Sequence, residues 1–337
     1  MQIIRMLSAR MRKRFGINAA HDRPRSAVWL CLCLMVLCLM LSGCSSSSSG
    51  ASSGTADVPE ALEEHRSTVT QIRMPETDGS AAVSNGAGTV TIDYSHPDQG
   101  YVCILYTGDS QQVQIQLCLP DGTVSPYPLE PGAYQTFLLT GGSGRYQVNV
   151  MESVGDGRYA AALSLPVAAQ ISDELVPFTW PSQYVNYSQD SECVKLAVQL
   201  SDASATDLDY ITSVYGYVTE HVTYDKELAA NAPVNYIPDP DATLSSGKGI
   251  CFDYASLMTA MLRCQQIPTR LEVGYSGTAY HAWISVYLEE SGWIENIISF
   301  DGESWTLVDP TLGASNNASS VSEYIGDGSN YIVKYHY

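Results

Sequence analysis

Three residues have the types and the order needed for nucleophilic chemistry. Cys251 lies in Gly247-Lys248-Gly249-Ile250-Cys251-Phe252-Asp253-Tyr254-Ala255, His281 in Ala279-Tyr280-His281-Ala282-Trp283, and Asp309 in Trp305-Thr306-Leu307-Val308-Asp309-Pro310-Thr311. A thiol opening a helix, an imidazole on one strand and a carboxylate on the next strand can form a Cys-His-Asp triad. The imidazole takes the thiol proton and later returns it to the leaving amine, while the carboxylate fixes the tautomer of the ring. The chemistry implied is acyl transfer from an amide through a thioester. Each residue taken singly has a plainer explanation: a packed cysteine, a satisfied strand histidine, and an aspartate opening a turn before Pro310.

The elements that must position these groups can be read from periodicity. A helix is predicted from Cys251 to about Gln266, with Leu257, Met258, Met261 and Leu262 on its buried side and Pro268 past its end. Its unpaired N–H groups and positive dipole end are expected to lower the Cys251 thiol and to hold an oxyanion. Cys264, late in the same helix, reads as core filler. Residues 207–221 also show helical spacing, through Leu208, Ile211, Val214, Tyr215 and Val218. Thr269–Gly274, Ala279–Leu288 and Trp305–Asp309 read as strands, with Asp309 ending the strand next to that of His281. Asp301 is a competing carboxylate, in a hairpin-like Asp301-Gly302-Glu303 turn. Tyr224 to Ser246 is a long connection of the kind that lines sites. The fold class is α+β, a helix packed on an antiparallel sheet over residues 169–337.

As an ordered set these segments resemble the transglutaminase-like domain family, whose fold is papain-like. The resemblance is carried by Gly247-Lys248-Gly249-Ile250-Cys251 with Asp253-Tyr254-Ala255, by Ile267-Pro268-Thr269-Arg270, by His281-Ala282-Trp283 and by Val308-Asp309-Pro310-Thr311. It spans about residues 205–312. It implies Cys251 as nucleophile, His281 as general base and acid, and Asp309 as the orienting group. It also implies an upstream side chain that helps the cysteine N–H bind the oxyanion. Tyr224, in Val222-Thr223-Tyr224-Asp225, matches that position, with Tyr236 as a rival or a lid residue. The family includes cross-linkers, peptidases, amidases and inactive members, so the resemblance leaves the reaction open. The segment from Tyr287 to Trp305 is longer than the shortest members need.

The chain around this region reads as an exported protein. Seven Lys/Arg residues between Arg5 and Arg25 precede an uncharged apolar run, Ala27–Leu41, which is short for a membrane span. The run ends in Leu41-Ser42-Gly43-Cys44 followed by serines, which resembles a bacterial lipobox with Cys44 as the lipidated residue. Residues 1–43 are therefore expected to be a lipoprotein signal, and the body to be lipid-anchored on the outer face of the cytoplasmic membrane. Residues 44–85 are Ser/Gly-rich and read as a flexible spacer, with a weak helix signal over Val58–Met74. From 86 to 168 the period is two: Val90, Ile92 and Tyr94; Val113, Ile115 and Leu117; Tyr146, Val148 and Val150. With turn sequences between these runs, a small all-β sandwich is predicted, serving as a spacer or a binding module.

The charge and the cysteines narrow the function. Beyond residue 43 the chain has 10 basic and 35 acidic residues, a formal charge of −25, which argues against nucleic-acid binding. Of nine cysteines, Cys103, Cys118, Cys193, Cys251 and Cys264 lie in the body. An odd count without a C-x-x-C pair argues against a zinc site or a dense disulfide framework. Cys103 and Cys118 lie in neighbouring strand-like runs and could pair. No H-E-x-x-H or Walker-type loop is present, and no metal or cofactor is expected. The expected partners are a protein or peptide substrate and, through Cys44, the membrane. The alternative to an enzyme is a non-catalytic, surface-anchored binding or scaffold protein.

Overall fold

The computed structural model describes residues 66–110, 112–276, 278–300, 305–307 and 331–337, which belong to one compact unit. Cys44, Asp301 and Asp309 lie outside the described residues. The architecture is α+β, with an all-β region preceding a helix-on-sheet region.

The all-β region has eight strands: β1 (Ala82–Ser84), β2 (Val90–Asp93), β3 (Tyr101–Tyr106), β4 (Val113–Cys118), β5 (Val124–Pro128), β6 (Gln135–Leu138), β7 (Gly144–Gly155) and β8 (Arg158–Ala169). They form two antiparallel sheets, β1-β2-β3-β6 and β5-β4-β7-β8. The alternation predicted for the second and third runs is seen directly. Val113, Ile115 and Leu117 are buried, as are Tyr146, Val148 and Val150, while their neighbours are more exposed. Cys103 lies in the first sheet and Cys118 in the second, and both are free thiols. The pairing considered from their sequence proximity does not form, because neighbouring runs in sequence went to different sheets.

Next come helices α1 (Glu192–Asp202) and α2 (Asp207–His221), strand β9 (Thr223–Tyr224), helices α3 (Lys226–Asn231) and α4 (Pro240–Ser246), strand β10 (Lys248–Gly249) and helix α5 (Cys251–Cys264). Strands β11 (Thr269–Ser276), β12 (Ala279–Leu288), β13 (Gly292–Phe300), β14 (Trp305–Leu307) and β15 (Tyr331–His336) form an antiparallel sheet in the order β14-β13-β12-β11-β15. Helix α2 starts where Thr206 and Asp209 cap each other reciprocally, Thr206 Oγ1 accepting from the Asp209 N–H at 3.1 Å and Asp209 Oδ2 from the Thr206 N–H at 3.1 Å. Helix α5 is buried all round from Asp253 to Cys264, not on one side only. It is the central helix, enclosed by neighbouring elements instead of lying at the surface.

Two connections make the all-β region and the helical region one body. A run of aromatic rings passes from one to the other: Tyr127 packs on Phe137 at 5.1 Å and on Tyr184 at 5.4 Å, and Tyr184 packs on Phe252 at 5.1 Å. Ser256 Oγ also donates to the Tyr184 carbonyl at 2.5 Å. Second, the fully buried Arg263 donates to the carbonyl of Trp180 at 3.1 Å, whose indole N–H donates in turn to the Gln99 carbonyl at 3.0 Å just before β3; it also donates to the carbonyls of Thr269 at 2.8 Å and of Tyr337. These acceptors offset the cost of burying its charge, and burial lowers its pKa to about 10.

Residues from Arg66 onward, in the segment read as a spacer, are pinned, and 66–74 forms no helix. The side-chain amide of Gln265 pairs with both backbone groups of Val69, at 2.9 and 2.8 Å. Gln189 does the same with the Ile72 N–H and the Thr70 carbonyl, both at 3.0 Å. Arg66 reaches Asp207 at 2.7 Å. Composition argued for flexibility, but these partners lie far away in the chain and supply what the segment itself cannot.

Candidate active site

The turn that delivers Cys251 is built from two glycines and an aspartate. Gly247 ends α4 in the left-handed conformation (φ 61°), its N–H bonding to the Thr243 carbonyl at 3.0 Å. Gly249 then runs against the side chain of Asp253, where an added Cβ would stand 2.6 Å from the Asp253 Cβ. The chain enters α5 at Cys251, and the Asp253 carboxylate accepts the Ile250 N–H at 2.7 Å. That carboxylate is 1% exposed and also accepts the Tyr236 hydroxyl at 2.7 Å.

Cys251 is partly exposed, yet its thiol is packed round by protein. The backbone N–H groups of Ala282 and Phe252 are both directed at its sulfur. The first of these places β12 beside the thiol at the residue following His281. His281 is nearly buried and lies opposite Gly274 across β11. The structure thus brings together the helix start and the histidine strand that sequence separated by 30 residues.

The thiol differs from expectation in one respect. Burial pushes it above the usual thiol value, and the N–H groups of Ala282 and Phe252 pull the other way without prevailing. The nearby Asp253 charge adds to the rise. The stabilising pull of the helix start is present but smaller than desolvation. Cys103 and Cys264 are pushed further, to about 11 and about 12, both by burial.

Tyr224 ends β9 and pairs with Gly249 in the short parallel ladder to β10. Its phenol oxygen accepts the backbone N–H of Cys251; burial raises the phenol, and the charges of Cys251 and Asp253 add to this. Tyr224 is thus beside the nucleophile position. Tyr236 is not a free lid residue; it is bound to Asp253.

The carboxylate strand is arranged differently from expectation. Strand β13 lies between β12 and β14, so the strand leading to Asp309 is not the immediate neighbour of the strand of His281. The stretch from Gly292 to Phe300, for which no strand was predicted, is itself that neighbouring strand, and Asp301 directly follows its last residue, Phe300.

On the outer side of the site, three exposed apolar residues make one cross-strand row. Tyr280 is 59% exposed, Tyr275 opposite it 39% and Ile332 beyond that 54%. Tyr280 precedes His281, and its phenol feels the charge of Cys251. Two cavities, of about 310 and about 560 Å³, lie elsewhere, and neither is lined by Cys251, His281 or Tyr224. Among the described residues no His/Cys/Asp/Glu group is arranged to hold a metal ion, and no helix is long and apolar enough to cross a membrane.

The chain is similar to several solved structures and, over part of its length, to one family model. Solved structures similar to the chain include a candidate cysteine protease from Cytophaga hutchinsonii, at 14% identity over 58% of this chain and 77% of that one, with a TM-score of 0.30. They also include red sea bream transglutaminase, at 12% identity over 64% and 48%, with a TM-score of 0.27. A candidate protease from Parabacteroides distasonis is 15% identical over 59% and 61%, with a TM-score of 0.26. At these scores the chains do not superpose as wholes. No curated protein matches the sequence. The model of the transglutaminase-like superfamily matches residues 194–296, a span that takes in the helix start of Cys251 and the strand of His281, and the similarity is to this part of the chain.

Proposed function

We propose that the chain is a thiol enzyme that cleaves or transfers the acyl group of peptide or glutamine-type amides. The observation that carries this reading is the Ala282 N–H directed at the Cys251 sulfur, which brings the strand of His281 to the start of α5. Cys251 attacks the carbonyl, His281 moves the proton, and a tetrahedral intermediate collapses to a thioester and an amine. The Cys251 N–H and the Tyr224 hydroxyl, bonded to each other in the substrate-free chain, are proposed to turn to the oxyanion as its two donors when substrate displaces that bond. Asp309 is the proposed orienting carboxylate. Water then releases acid, or an amine releases a new amide.

The enzyme is further proposed to act outside the cell, lipid-anchored through Cys44, on protein or peptide substrates. The basic leader, the short apolar run and the acidic body support this setting. The second reading, a non-catalytic surface scaffold, has one observation in its favour: burial raises the Cys251 thiol. Iodoacetamide labelling of the folded chain separates the two. An enzyme requires Cys251 to react much faster than Cys264; equal rates support the scaffold.

A further inference from the structure

We propose that Asp253 and Tyr236 are positioning residues, which hold the Cys251 backbone N–H and the Tyr224 hydroxyl at one point as the two donors of the oxyanion pocket. This rests on the thiol-enzyme reading, in which the substrate carbonyl displaces the Cys251 N–H from the Tyr224 oxygen that accepts it in the free chain, and it assigns a role to two side chains that do not themselves touch the reacting atoms.

The geometry forms a closed set. The Asp253 carboxylate grips the Ile250 N–H, one residue before the nucleophile, at 2.7 Å. Its Cβ fills the space that only a glycine at position 249 leaves open. Gly249 is paired with Tyr224, and its carbonyl accepts the Asp225 N–H at 2.8 Å. Asp253 therefore fixes the backbone that carries one donor and the ladder that carries the other. Tyr236 donates its hydroxyl to Asp253 at 2.7 Å and so ties down the long connection after β9.

The arrangement has a cost. A buried carboxylate beside the thiol opposes formation of the thiolate. Other groups act here too: Asp225 and Asp239 bear on Asp253, and the charge of Cys251 in turn bears on Tyr224 and Tyr280. Asp253 thus works against nucleophilicity while serving placement, and the two effects have opposite signs.

Two probes separate them in the full chain. Alkylation by iodoacetamide needs only the thiolate. Acylation by p-nitrophenyl acetate forms the S–C bond, expels p-nitrophenolate and also builds negative charge on the carbonyl oxygen. Both rates are measured from pH ~6 to ~10, spanning the ordinary thiol range. In Asp253→Asn, alkylation at a given pH is expected to stay equal or rise, its profile moving to lower pH, while acylation slows ~10-fold or more. Tyr236→Phe removes one oxygen and serves alone if Asp253→Asn does not fold. There alkylation is expected to hold within about twofold while acylation slows severalfold. Equal factors on both rates, or unchanged acylation, overturn the proposal. If wild-type Cys251 is acylated no faster than Cys264, the enzyme reading falls, and the positioning proposal falls with it.

Discussion

The backbone N–H of Ala282 is directed at the sulfur of Cys251, so the residue after His281 touches the first residue of the central helix. The contact joins β12 to α5 at the residue that follows His281. It also accounts for the thiol's state, since the sulfur accepts N–H groups from both elements yet is held above the ordinary value by burial.

That balance predicts a pH signature. Without substrate, iodoacetamide labelling of Cys251 should climb with pH and reach half its maximum above the ordinary thiol value of about 8.5. His281→Ala should slow labelling near neutrality and leave the alkaline limit almost unchanged. A pH-independent rate across this range contradicts the assignment.

The orienting carboxylate can be decided by substitution. Asp309 carries the motif, while Asp301 follows the strand paired with that of His281. Asp309→Asn is expected to lower the acylation rate by ~100-fold or more, and Asp301→Asn by less than about threefold. The reverse ranking, read in the same p-nitrophenyl acetate assay, would move the role to Asp301.

The exposed row of Tyr280, Tyr275 and Ile332 is proposed as the surface along which a substrate chain approaches the thiol, since Tyr280 precedes His281 and its phenol feels the charge of Cys251. Tyr280→Ala should raise KM for amide substrates with an apolar residue near the scissile bond by about threefold to tenfold, and leave kcat nearly unchanged. An equal fall in kcat would show that the ring acts in the chemical step.

Stability should fall at alkaline pH, and the sign follows from the direction of the shifts. Cys103 and Cys264 are raised to about 11 and about 12 in the folded chain. The unfolded chain loses these protons at lower pH, so their contribution is fully present below the ordinary thiol value of about 8.5 and is lost as pH rises through the folded values. Denaturant midpoints should drop over that window, and less steeply in Cys264→Ala than in the parent. Arg263→Met tests a separate anchor. It abandons three carbonyls and should cost ~3 kcal/mol or more, with little rescue by Arg263→Lys, whose ammonium lacks the planar fork.

The parts of this fold that local periodicity specifies were legible in the sequence. Helix α2 was predicted with the ends it has, and the alternation of β4 and β7 was visible in Val113-Ile115-Leu117 and Tyr146-Val148-Val150. Strand β13 escaped because the apolar residues Trp293, Ile294, Ile297 and Ile298 do not alternate. Helix α1 and the pairing of β15 with β11 were not anticipated, the latter because it joins residues far apart in the chain. At the site, Cys251 and His281 were singled out by residue type and order, and Tyr224 by the resemblance; the strand of His281 and the ladder of Tyr224 do meet the start of α5. The bond between Tyr236 and Asp253 was not, since nothing in a Pro- and Asn-rich connection marks which tyrosine turns inward. The sign of the thiol shift was also missed, because helix position can be read from sequence and burial cannot.

The central claim is that Cys251, activated by His281, forms a covalent acyl-enzyme. Intact-mass trapping with a peptide library, with and without added amine, tests it most directly. The account predicts a thioester adduct on Cys251 in the parent chain, none in Cys251→Ala, and formation slowed ~100-fold or more in His281→Ala. An adduct that persists in Cys251→Ala, or none in the folded parent chain with any amide donor, would contradict it.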